Sequence, residues 1–111
     1  MIDHYEFGTI TIDGKRYDHD VIIFKGEIRS WWRETSHNVS IKDIESLAKE
    51  RPKTIIFGTG ASGVMKVSTE AEDYLRQNGI KVLMLKTGDA VKKFNELSAD
   101  PSVAAAIHLT C

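Results

Sequence analysis

Polar and apolar positions alternate through Thr9-Ile10-Thr11-Ile12, stop at Asp13-Gly14 and resume in Lys15-Arg16-Tyr17. That is the pattern of two strands joined by a tight two-residue turn, so residues 5–24 read as a β-hairpin. With Ile12 opposite Lys15, Ile10 falls opposite Tyr17 on the same face. Tyr5 and Phe7 have the other parity, and Gly8, where the parity changes, is the expected place for a bulge or twist. The second arm runs on into Val21-Ile22-Ile23-Phe24, a continuous apolar run suited to a strand covered on both faces. Lys25-Gly26-Glu27 turns the chain into an expected third strand over residues 28–33. Its adjacent Trp31 and Trp32 must point to opposite faces, one into the core and the other under a loop or at an interface.

The period then lengthens to that of a helix. Ser40 is a good N-cap with Asp43 three residues on, Val39 and Ile44 are placed for a hydrophobic staple, and Ile41, Ile44, Leu47 and Ala48 form one stripe that ends before Pro52. Residues 54–57 return to strand, followed by a glycine loop and the segment 64–67. Thr69 and Glu72 predict a capping box for a second helix over residues 70–78, with Ala71, Tyr74 and Leu75 inward and Gly79 as its stop. Residues 80–85 read as a buried strand, so 54–86 form a parallel β-loop-α-β unit. Thr87 is the expected cap of a third helix carrying Ala90, Val91, Phe94 and Leu97, broken at Asp100-Pro101. The alanine-rich tail, V-A-A-A-I-H-L, fits strand or helix; the proline before it and its β-branched Val103 and Ile107 favour strand.

Composition narrows the class without naming a reaction. With 111 residues there is room for one core, and 41% hydrophobic with 28% charged residues is an ordinary globular balance. The net charge of −1 and the lack of a basic run give no footprint for nucleic acid. Met1 to Phe7 has neither the basic start nor the apolar run of a signal peptide, and no stretch is long enough to span a bilayer, which predicts a cytoplasmic protein. The single cysteine, Cys111, excludes an intramolecular disulfide and a cysteine-based metal cluster.

Chemistry is best sought at Gly58, Gly60 and Gly63, spaced G-x-G-x-x-G behind a strand. A dinucleotide fingerprint opens directly into a helix, whereas here V-M-K-V intervenes, and the acidic residue due after the second strand is replaced by Lys86 and Thr87. A serine nucleophile elbow needs glycines two residues either side of Ser62; Gly60 fits and Val64 does not. The third reading is a small anion or carboxylate pocket at the carboxyl edge of the parallel strands. It would use Gly58, Thr59, Gly60, Ala61, Ser62 and Gly63 with Arg33, His37, Lys66 and Thr87. The plain alternative is a tightly packed strand-to-loop corner with solvated charges. His4, His19, His37 and His108 lack metal-ligand spacing, and Asp18-His19-Asp20 reads as a solvated strand end as readily as a cation site. No catalytic residue, metal or cofactor is assigned.

The glycine loop, S-W-W-R-E-T-S-H (30–37), T-G-D-A-V-K-K-F-N-E-L (87–97) and the ending A-A-I-H-L-T-C occur in an order that resembles the adipogenesis-associated domain-containing family. That family is similar in turn to a mitochondrial complex I assembly factor. The resemblance covers residues 5–111. It implies a three-layer α/β single domain, 1–111, with a mixed central sheet, the parallel β-loop-α-β unit and an N-terminal β-hairpin or meander layer. It also implies a non-enzymatic interaction or assembly role with a protein partner. The alternative, carried by the glycine loop, is a small-molecule binding protein or enzyme acting on an anionic ligand.

Overall fold

The computed structural model describes residues 1–111. A five-stranded mixed sheet divides the chain into two cores. Its strands are β4 (Val21–Phe24), β5 (Glu27–Ser30), β7 (Thr54–Thr59), β9 (Lys81–Leu85) and β10 (Val103–His108), in the order β5-β4-β10-β7-β9. β7 runs parallel to both β9 and β10, and β4 is antiparallel to both β10 and β5. The central strand is therefore the alanine-rich tail. Six buried residues in a row, with ladders on both sides, override alanine's low strand preference, and small side chains let two layers approach it.

On one face lie α1 (Ile41–Ala48) and α2 (Thr69–Gln77), with Ile22, Phe24, Trp31, Ile55, Phe57, Ala104 and Ala106 in the core beneath them. On the other lie α3 (Thr87–Glu96) and a meander of β1 (Ile2–Glu6), β2 (Thr9–Ile12) and β3 (Lys15–Tyr17), over Val21, Ile23, Ile56, Val103, Ala105 and Ile107. Period-two alternation thus serves both cores from the same strands. This is the three-layer α/β architecture read from the sequence, with the predicted parallel unit and the N-terminal meander.

The hairpin register is as predicted, with Ile10 opposite Tyr17 and Ile12 opposite Lys15. Other local expectations need correction. Gly8, at φ +86°, closes a turn between β1 and β2, and the irregular register lies between Ile2 and His4. The ribbon does not run on into β4; residues 18–20 break it and pass the chain to the other sheet. β5 stops at Ser30, so Trp31 and Trp32 follow the strand. Of the two, Trp31 is buried, its indole Nε1–H donating to Asp43 O at 2.9 Å, while Trp32 is 81% exposed.

α1 follows its sequence signals, with the Asp43 carboxylate accepting from the N–H and hydroxyl of Ser40. α2 is capped one residue earlier than expected: the Ser68 hydroxyl accepts from Ala71 N–H at 3.1 Å, leaving Thr69 as the first helical residue. β9 is a sheet edge, not a fully buried strand, and Met84 is exposed. A two-stranded parallel piece, β6 (Asn38–Val39) with β8 (Lys66–Val67), ties the entry of α1 to the segment after the glycine loop.

Candidate functional site

Strand register brings a charged cluster to the carboxyl edge of β10. Val21 pairs with Ile107, so the residues one step further along, Asp20 and His108, are also neighbours. His108 continues the Ala104-Ala106 face and is 3% exposed. Its Nδ1 lies 2.7 Å from Asp20 Oδ2, while Oδ1 accepts from the Leu109 N–H at 2.8 Å. Trp31 N–H donates to Asp20 O, which carries the chain past this edge and lets Arg33 fold back onto it. One Arg33 terminal nitrogen donates to Asp20 Oδ2 and to Ser36 O, both at 2.7 Å.

A 2.7 Å approach between an imidazole nitrogen and a carboxylate requires the proton on Nδ1. The same Arg33 nitrogen sits 3.1 Å from that Nδ1, so this pair is two donors crowded onto one acceptor. Burial pushes the Asp20 carboxyl up, but hydrogen bonds from His108, the Leu109 N–H and Arg33 outweigh it and hold the group below its ordinary value. The Arg33 guanidinium also lies 4.4 Å over the Trp31 ring. Its Nε and second terminal nitrogen are buried without a hydrogen-bond partner. His108 Nε2 faces Thr110 Oγ1 at 3.3 Å, and the His37 ring stands edge-on to that of His108, with centroids 5.7 Å apart.

The glycine loop lies beside this cluster, and most of its backbone donors are taken, that of exposed Ser62 excepted. Gly60 N–H donates to Thr87 Oγ1, Ala61 N–H to Thr110 O, Gly63 N–H to Gly60 O and Val64 N–H to Cys111 O. Gly58, next to last in β7, has little room beyond hydrogen, since a Cβ there would sit 3.0 Å from Thr87 Oγ1 and 3.1 Å from Ile107 Cδ1. Gly60, at φ +105°, lies so close to the tail that a Cβ would overlap the Cys111 carbonyl. Thr59 Oγ1 donates to Leu85 O, and Ser62 is exposed.

Thr87 does not cap α3, as the sequence suggested; its side chain is fully buried, donates to His108 O at 2.6 Å and accepts from Gly60 N–H. Arg33 and His37 meet the tail, with His37 Nε2 3.7 Å from Cys111 Sγ. Lys66 donates its N–H to His37 O, but its side chain lines a separate cleft with Thr59, Gly63 and Met84. Sequence reading thus missed Asp20 and His108 as partners. The available signal was position: each sits at the end of a continuous apolar run, and antiparallel pairing of those runs would juxtapose them.

The residues from Ile2 to His108 match the family described as "Protein of unknown function (DUF498/DUF598)". The chain belongs to that family. Among solved structures it is similar to the conserved hypothetical protein PH1505 from Pyrococcus horikoshii OT3, at 29% identity and a TM-score of 0.92, covering 100% of this chain and 99% of that one. It is similar to a protein called MT938, at 30% identity and a TM-score of 0.84, covering 100% and 98%. A protein from Bartonella henselae described as an outer membrane protein shares the fold at 24% identity and a TM-score of 0.85, covering 99% and 94%. None of these descriptions names an activity. In this member of the family, no helix is long and apolar enough to cross a membrane.

Proposed function

We propose that this DUF498/DUF598 protein works by docking a protein partner through the surface that carries Trp32, without turning over a substrate. The observation that carries this reading is the contrast within one dipeptide: Trp31 is pinned in the core and Trp32 is 81% exposed. Holding a large apolar ring in water on a rigid mount is unfavourable unless something covers it, and tryptophan is prominent among residues that dominate binding energy. The hydrogen bonds of Ala61 and Val64 to the tail, and of Gly60 to Thr87, support the same reading by leaving few loop amides for a ligand. So does the likeness of residues 30–37, 87–97 and the tail to the adipogenesis-associated family, which points to an assembly-type role. A cytoplasmic location belongs to this proposal as well.

The test is capture with the parent chain and with Trp32→Ala as baits, after matching their melting temperatures. A partner retained by the parent and lost by the variant supports docking at Trp32; identical retention overturns it. A second reading, an anionic ligand at residues 58–63, is favoured by the cleft of about 290 Å³ that Lys66 lines with Thr59 and Gly63. It predicts that inorganic phosphate raises the melting temperature of the parent but not of Lys66→Ala.

A further inference from the structure

We propose that the cleft beside the two tryptophans is a carboxylate site, with Arg33 as the receptor of the charge. This cleft, of about 220 Å³, has Trp31, Trp32, Ser30, Ser36, Asp20 and Arg33 among its walls and is distinct from the one lined by Lys66. A volume of that order suits a small organic acid or the end of one side chain.

The chemistry follows from what the cluster leaves unpaired. The Arg33 side chain is 4% exposed, and two of its three nitrogens are buried without a partner. Buried donors left without acceptors are costly and uncommon in native proteins, so they point to an acceptor from outside the chain. Asp20 does not supply it: its Oδ1 accepts from the Leu109 N–H and its Oδ2 from His108 and the remaining Arg33 nitrogen. Every unpaired atom here is a donor on a cation. The complementary group is therefore acceptor-only and anionic, and a planar carboxylate matches a planar guanidinium.

Two further features narrow the class. The Trp31 ring, 4.4 Å from the Arg33 guanidinium carbon, restrains that side chain, and exposed Trp32 offers apolar surface to the carbon skeleton attached to the carboxylate. Asp20, a fixed negative charge on the same wall, opposes a dianion more than a monoanion, which selects a carboxylate over phosphate. The carboxylate has two possible sources, a free small acid or an acidic side chain of a docked protein. Only the second rests on the docking at Trp32 proposed above.

The experiment uses the indole N–H resonances of Trp31 and Trp32, the chain's two tryptophans, in a proton–nitrogen spectrum of the full chain. The probes are benzoate, its neutral analogue benzamide, inorganic phosphate, and the capped tripeptide acetyl-Gly-Glu-Gly-amide. Saturable movement of the indole signals by benzoate, with benzamide and phosphate roughly tenfold weaker or silent, is the expected result. Movement by the peptide alone also supports the site and assigns it to a partner's side chain.

Equal response to benzoate and benzamide overturns the proposal, as does silence toward both benzoate and peptide. Arg33→Gln should abolish the benzoate response. If that variant fails to fold, the comparison of benzoate with benzamide on the parent chain still decides. In Trp32→Ala the Trp31 signal should still respond to benzoate even where partner capture is lost, so the two proposals fail separately.

Discussion

Asp20 Oδ2 lies 2.7 Å from His108 Nδ1, joining residues 88 positions apart at the carboxyl edge of the central strand. The contact exists because β4 and β10 pair in register up to Val21 and Ile107, and Asp20 and His108 are the next residues out. It places one carboxylate between a buried imidazole and a buried guanidinium. Removing that charge should be costly. Asp20→Asn leaves Arg33 without its counter-ion, and chemical denaturation should show a loss of about 3 kcal/mol.

The same carboxylate sets an acid response. Its pKa is lowered in the folded chain, so its contribution to stability is complete above the unfolded value of roughly 3.9 and is lost as pH falls through the lower folded value. Melting temperature measured downward from neutral pH should therefore fall more steeply for the parent than for Asp20→Asn in that acid window, and the two curves should converge.

Much of the framework around this contact was legible in the sequence. Asp13-Gly14 fixed the hairpin register, Ser40 and Asp43 marked the start of α1, and Asp100-Pro101 separated α3 from a tail whose β-branched residues outweighed its alanines. The Asp20–His108–Arg33 cluster was not legible, because it depends on which strands become neighbours across 88 positions. The loop's closure against the tail is long-range in the same way. G-x-G-x-x-G advertises free amides, and only the positions of Thr87, Thr110 and Cys111 reveal that those of Gly60, Ala61 and Val64 are used.

Glycine substitutions separate packing from backbone freedom. Gly60→Ala meets both a positive φ and the Cys111 carbonyl, and should cost about 3 kcal/mol or prevent folding. Gly26→Ala has the positive φ, +75°, with open space around it, and should cost only about 1 kcal/mol. Gly88→Ala, in α3 with neither constraint, should be neutral or stabilising by up to about 1 kcal/mol. Urea unfolding of the three variants checks the order.

Thr87 ties the glycine loop to the end of β10 through one hydroxyl. Thr87→Val keeps the shape and removes both bonds, leaving buried Gly60 N–H and His108 O unpaired, so a loss of about 2 kcal/mol is expected. Thr87→Ser should retain most of that stability. A loss in Thr87→Ser with little in Thr87→Val would instead place Thr87's contribution in its methyl packing.

On the proposed function, the working surface is the Trp32 face and not the glycine loop. The most direct measurement is photo-crosslinking in cells of the source organism, with p-benzoylphenylalanine placed at Trp32 or, separately, at exposed Ser62. A discrete adduct from position 32, with none from position 62, is the predicted result. An adduct from position 62 alone would contradict docking at Trp32.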